Sequence, residues 1–65
     1  MKLREYIEMI GDEEAARLFS VKPRTAASWR RGERYPRPKQ AAVIVEKTKG
    51  RVTYADIYSD AHTDT

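Results

Sequence analysis

The residues best suited to chemistry in this sequence are the basic side chains between Lys22 and Lys39. This stretch holds seven lysines and arginines against a single acid, Glu33, so its local charge is +6 while all other residues together carry −3. Guanidinium and ammonium groups donate hydrogen bonds to anionic oxygens and attract polyanions. The pattern therefore favours a polyanion as partner, and nucleic acid is the commonest one. On charge alone, a solvated basic face without a partner is the alternative.

Catalytic and metal-binding chemistry has few candidates. Asp12, Glu13 and Glu14 are consecutive acids, but the start of a helix explains them, because the helix dipole favours negative charge there. The sequence has one histidine, His62, no cysteine and no glycine-rich phosphate loop. We therefore expect no enzymatic activity, no cofactor and no metal site.

The size of the chain limits what it can build. Its 65 residues make one domain at most, and a chain of this length buries only about 60% of its unfolded surface. It leaves no room for a separate domain that would bind a small-molecule ligand. Since we find neither a signal peptide nor an apolar run of the roughly 18–20 residues that cross a bilayer, we expect a cytoplasmic protein without a membrane partner.

Apolar periodicity and helix-boundary residues predict an all-α chain of four to five helices. Leu3, Tyr6 and Ile7 recur at helical spacing, and Gly11 suits the end of that first helix. Two prolines suit the first positions of the third and fourth helices. The predicted helices span residues 2–10, 13 to about 20, 23–31, 38–49 and 54–58.

The ends and faces of two helices are predicted in more detail. The Asp12 side chain offers an acceptor that suits the cap of the second helix. The fourth helix is expected to end at Gly50. The residues that it should turn toward the core are Ala41, Ala42, Val45 and Thr48.

Two interpretations are open for residues 51–58. Thr53 followed by Asp56 is close to a capping box and favours a short helix. The alternating sequence RVTYADIY is also typical of a strand, which stays the alternative. Residues 1–58 are expected to form one domain, followed by a disordered polar tail at residues 59–65.

The third predicted helix has two chemically different faces. At 100° per residue, Ala26 and Trp29 lie on one side, and Trp29 is expected in the core rather than stacked on a base. The opposite side holds the residues Arg24, Ala27, Ser28 and Arg31. A nine-residue helix is about 13 Å long and fits a DNA major groove about 12 Å wide.

The residues of that outer face are the candidates for reading base edges. Arg24 can donate two hydrogen bonds to guanine O6 and N7, Ser28 can bond to any base, and Ala27 can touch a thymine methyl. A phosphate or solvent contact is the alternative for Arg24, and the helix dipole also explains a basic Arg31 in the last turn. Contacts to phosphate, which set register without reading sequence, are expected from Lys22, Thr25, Arg30, Arg34, Arg37 and Lys39.

Two helices joined by a turn of about four residues, the second helix basic, form the outline of a helix-turn-helix. The stretch AARLFSVKPRTAASWRRG resembles the helix-turn-helix of small phage repressors of the Cro type and their YdaS-like prophage relatives. The stretch YPRPKQAAVIVEKTKGRVTYADI is similar to the rest of that family, so the resemblance covers about Met1 to Tyr58. It implies a lambda-repressor-like fold with these residues in the core of the motif: Ala15, Ala16, Phe19, Val21, Ala26 and Trp29.

Two positions depart from the family pattern. Ser20 stands where glycine is commonest in the turn, and it is accommodated if its φ stays out of the strongly positive range. Ala26 is smaller than the usual residue, which implies that Trp29 fills the space.

The resemblance implies a transcriptional repressor of a phage or prophage, acting on the nucleoid of a bacterial host by occupying a double-stranded DNA operator. We expect a weak two-fold homodimer, completed on DNA. Its contact residues are expected to be Val52, Tyr54, Ile57 and Tyr58. Two alternatives stay open: a DNA-bending accessory factor of the excisionase type, which a strand at residues 51–58 would support, and an antitoxin-like protein-interaction module.

Overall fold

The computed structural model describes residues 1–58, and these form an all-α domain. The helices are α1 (Leu3–Ile10), α2 (Asp12–Phe19), α3 (Pro23–Arg31), α4 (Pro38–Lys47) and α5 (Tyr54–Tyr58). No strand occurs among the described residues, so the strand alternative for residues 51–58 is wrong. The predicted polar tail, residues 59–65, lies outside the described part of the chain.

The core forms where α3 packs against α1 and α2, while α4 packs against α2 and α5 closes over α4. It contains a row of three aromatic rings, in which the ring centroid of Phe19 lies 6.2 Å from that of Tyr6 and 6.5 Å from that of Trp29. The buried apolar residues are Leu3, Tyr6, Ile7, Ala15, Ala16, Phe19, Ala26, Trp29, Ala41, Ile44, Val52 and Ile57. Val21 is half-buried and packs against this core.

The turn between α2 and α3 contains a left-handed residue. Ser20 has φ 59° and ψ 45°, so the condition under which a serine would be accommodated there is not met. The N–H of Val21 donates to the carbonyl of Ala16 at 2.9 Å, which closes α2 in the manner of a Schellman motif. This left-handed conformation favours glycine, and Ser20 adopts it with a Cβ atom present, at a steric cost.

The start of α2 differs from the prediction. Gly11, with φ 92° and ψ 152°, occupies the N-cap position, and its carbonyl accepts the N–H of Ala15 at 2.9 Å. Because this backbone conformation is open to glycine alone, Gly11 joins α1 directly to α2. Asp12 is the first helical residue, so its predicted capping role is wrong, and its carboxylate is used elsewhere.

The fourth helix is rotated and shortened relative to the prediction. Ile44 is fully buried, whereas Ala42 is exposed and Val45 only half-buried. The helix ends at Lys47 because Thr48, itself buried, is followed by the left-handed residue Lys49 with φ 55°. Ala41 and Thr48 are buried as predicted, so the predicted core face is wrong at Ala42 and holds only in part at Val45.

The last helix begins with the predicted capping box. The N–H of Thr53 donates to Asp56 Oδ2 at 3.1 Å, and the N–H of Asp56 donates to Thr53 Oγ1 at 3.2 Å. These two bonds satisfy donors at the helix start. The bond from the Thr53 N–H, and after it the bond from the Met1 ammonium at 3.0 Å, lower the pKa of the Asp56 carboxyl. The helical interpretation of residues 54–58 is confirmed.

Candidate nucleic-acid interface

The third helix presents opposite faces to the core and to solvent. Ala26 and Trp29 are 0% and 5% exposed. On the other side, Arg24 and Arg31 are exposed, while Ala27 and Ser28 are half-buried. The side chains predicted to read bases therefore lie on the outer side of α3.

Local sequence fixes both ends of α3. Lys22 is the N-cap, with extended φ −77° and ψ 150°, and Pro23 is the first helical residue. Gly32, with φ 78°, ends the helix, and the N–H of Glu33 donates to the Ser28 carbonyl at 3.0 Å. Lys22 is exposed at the entry to α3. Its side chain is thus available beside the helix rather than on its outer face.

An open groove runs along the outer side of α3. It is lined by Arg24, Thr25, Ser28, Glu33 and Arg34. Arg24 comes from the helix and Arg34 from the connector that follows it, and neither forms an ion pair within residues 1–58. Two guanidinium groups that form no ion pair therefore line one groove together with the carboxylate of Glu33, on which Arg34 acts at longer range, and they can bind an anionic ligand.

The Ser28 hydroxyl has one of its hydrogen bonds fixed by the helix. Its Oγ donates to the Arg24 carbonyl at 3.0 Å, a bond from residue i to residue i−4. The hydroxyl hydrogen is thereby occupied, while the oxygen lone pairs stay free to accept. In this rotamer, Ser28 suits an amino group on a base edge, such as adenine N6 or cytosine N4.

Arg30 has an acidic partner inside the chain, which sequence reasoning missed. Its Nε and Nη2 donate to the two carboxylate oxygens of Asp12 at 2.9 and 3.1 Å, and both side chains are about 30% exposed. The hydrogen bond from Arg30, with the charges of Arg30 and Arg31, lowers the pKa of the Asp12 carboxyl. The prediction that Arg30 contacts phosphate is therefore replaced by a role in joining α2 to α3.

Arg31 is also paired, but at the surface. Its Nε and Nη2 donate to the carboxylate of Glu33 at 3.1 and 3.2 Å. The side chains of Arg31 and Glu33 are 48% and 58% exposed, so water and salt compete with this pair. The hydrogen bond and charge of Arg31 lower the pKa of the Glu33 carboxyl. Arg31 thus lies on the predicted outer face, with an acid beside it.

The remaining cations lie on the connector between α3 and α4 and on the first turn of α4. Arg37 and Lys39 are exposed, whereas Pro36 is buried. The Tyr58 hydroxyl donates to the Pro36 carbonyl at 2.7 Å, and the N–H of Arg37 donates to Gln40 Oε1 at 2.9 Å. These bonds hold the connector against the domain and fix the backbone from which Arg37 and Lys39 extend.

The predicted dimer contacts are only partly available. Val52 is fully buried and Ile57 is 3% exposed in the core of the single chain, so the prediction that they meet a second copy is wrong. Tyr58 is half-buried and holds Pro36. Tyr54, at 52% exposed, is the member of the predicted set that stays open to a partner.

No family model, curated protein or solved structure matches this chain. Within the described residues, no helix has the length and apolar character needed to cross a membrane. The same residues contain no group of three side chains able to hold a metal ion, and His62 lies outside them.

Proposed function

We propose that this chain is a sequence-specific DNA-binding protein of the helix-turn-helix type, acting as a transcriptional repressor like those of the Cro type. The observation that carries the proposal is the outer side of α3. Arg24 has no acidic partner there within residues 1–58, and it shares a groove with Ser28 and with Arg34 from the connector. Trp29, on the opposite side, is buried in the core.

Base reading follows from the groups on that face. Arg24 would donate two parallel hydrogen bonds to guanine O6 and N7, while the Ser28 oxygen would accept from an amino group. Ala27, half-buried and small, would let the helix approach and contact a thymine methyl. Arg31 would join them on DNA that draws it away from Glu33.

Phosphate binding falls to the cations around α3 that have no ion pair within the described residues. These are Lys22, Arg34, Arg37 and Lys39. Thr25, half-buried beside the groove, adds a neutral hydrogen-bonding group. Because Arg30 is paired with Asp12, we exclude it from this set. Such contacts fix the register of α3 without reading sequence.

Repression would follow from occupancy of an operator in the bacterial cytoplasm, where the bound protein blocks polymerase. One small domain makes few base contacts, so a weak two-fold dimer completed on DNA would supply two half-sites about one helical turn apart. Tyr54 is the exposed aromatic residue that we assign to that dimer contact. A strand at residues 51–58 would have supported the excisionase alternative, and the helix α5 removes that support.

Salt dependence of duplex binding tests the proposal. Each neutralised phosphate contributes about −0.9 to the slope of log K against log[salt], so four cations give about −3.6 for one chain and about −7 for a dimer. Lys39→Ala should make the slope shallower by about 0.9 per chain. Lys47→Ala, which removes an exposed lysine at the end of α4, should leave it unchanged. A wild-type slope near zero would reject DNA binding and favour a protein-interaction module.

A further inference from the structure

The side chain of Glu33 places a negative charge on the surface proposed to meet DNA. It is the single acid between Lys22 and Lys39, and it lines the same groove as Arg24 and Arg34. A carboxylate at such a position repels phosphate and weakens general attraction to polyanions. Its presence on this surface therefore opposes affinity for DNA of any sequence.

The backbone holds Glu33 in place over the end of α3. Gly32 takes the left-handed conformation, and the N–H of Glu33 then donates to the Ser28 carbonyl at 3.0 Å. From this position the carboxylate receives both hydrogen bonds from Arg31, at 3.1 and 3.2 Å. The pair orients the Arg31 guanidinium toward Glu33 and away from other acceptors.

We propose that Glu33 is a specificity-determining residue, which withholds Arg31 from phosphates in random DNA and releases it on the operator. The inference rests on the proposed DNA-binding function. Base edges can replace the hydrogen bonds of the Arg31–Glu33 pair in two ways. A guanine offers two acceptors to Arg31, and a cytosine amino group can donate to Glu33. A phosphate offers an acceptor to Arg31 but only repulsion to Glu33. Glu33 thus lowers affinity for random DNA more than affinity for the operator.

The test compares DNA binding by Glu33→Gln and by the wild type, on random duplex DNA and on an operator selected from a random duplex library. Freed Arg31 would neutralise one more phosphate of random DNA, so the slope of log K against log[salt] should steepen by about 0.9 per chain. At 0.15 M salt this corresponds to about 5-fold tighter binding of random DNA per chain. The ratio of operator affinity to random-DNA affinity should fall.

Glu46→Gln is the matched control, because it changes net charge equally at an exposed position of α4 outside the groove. It should change the slope and the affinity ratio by much less. Equal tightening of both DNAs by Glu33→Gln, or the same result from Glu46→Gln, would overturn the role of Glu33. A wild-type protein that binds neither DNA would instead overturn the proposed function and this inference with it.

Discussion

Arg30 and Asp12 form a two-hydrogen-bond ion pair between the last turn of α3 and the first turn of α2. Nε and Nη2 of Arg30 lie 2.9 and 3.1 Å from the two carboxylate oxygens of Asp12. A paired geometry of this kind fixes orientation as well as distance. The bridge therefore sets how α3, with Arg24 on its outer side, is held relative to α2.

The Asp12–Arg30 pair should make the free energy of unfolding depend on pH in the acidic range. The pKa of the Asp12 carboxyl is lowered in the folded chain, so its contribution is complete above its ordinary value of 3.8 and is lost as pH falls through the folded value. Asp12→Asn should lower the free energy of unfolding at neutral pH and show a smaller loss on acidification. Urea unfolding at a series of pH values measures both.

Glu13→Gln is the control for that series, since Glu13 is an exposed acid in the same turn with no side-chain ion pair within residues 1–58. It should keep the wild-type dependence on pH. Parallel curves for wild type and Asp12→Asn between pH 7 and pH 3 would show that the bridge does not stabilise the fold.

Replacing Ser20, in the turn between α2 and α3, by glycine should stabilise the fold. Its φ of 59° is unfavourable for a residue with a Cβ atom and is natural for glycine. After the greater chain entropy of glycine in the unfolded state is subtracted, Ser20→Gly should raise the free energy of unfolding by about 0.5–1 kcal/mol. Ser20→Ala keeps the strain and should not stabilise. A destabilised Ser20→Gly variant would show that the serine side chain stabilises the turn.

Local signals in the sequence were sufficient to predict the helices. Prolines at the first positions of α3 and α4, Gly32 after α3 and the Thr53–Asp56 box each act within a few residues. The two faces of α3 also followed from spacing, because the burial of Ala26 and Trp29 is periodic. Such features depend on short-range chemistry, which a single sequence contains.

The features that were missed depend on contacts between distant segments. Asp12 and Arg30 are 18 residues apart, so no local pattern pairs them. The burial of Val52 and Ile57 depends on where α5 docks, which composition does not reveal. Glu33 did carry a signal, since it is the lone acid in a basic stretch. Its role depends on the two hydrogen bonds that its carboxylate accepts from Arg31, which the sequence alone does not show.

Trp29 is expected to stabilise the fold rather than to contact DNA. It is 5% exposed and packs 6.5 Å from Phe19, so Trp29→Ala should lower the free energy of unfolding by about 3–5 kcal/mol through lost burial and a cavity. Circular dichroism during thermal unfolding measures this loss. A variant that folds normally but no longer binds DNA would place the indole outside the core, contrary to the fold described.

Substitution of Arg24 and of Arg37 should weaken DNA binding in two different ways. Arg24→Ala should weaken operator binding by about 1–3 kcal/mol and relax preference at one base position. Arg37→Ala should weaken operator and random DNA alike, because phosphate contacts carry no sequence information. Titration of each variant on both DNAs separates the two effects. An equal loss on both DNAs for Arg24→Ala would reassign it to phosphate.

Selection from a random duplex library, followed by sequencing of the bound pool, tests the central claim most directly. A helix-turn-helix repressor that binds as a two-fold dimer should enrich a short inverted repeat whose half-sites lie about one helical turn apart. Arg24→Ala should then lose the preference at one position within each half-site. A bound pool without any enriched motif would contradict sequence-specific recognition by α3.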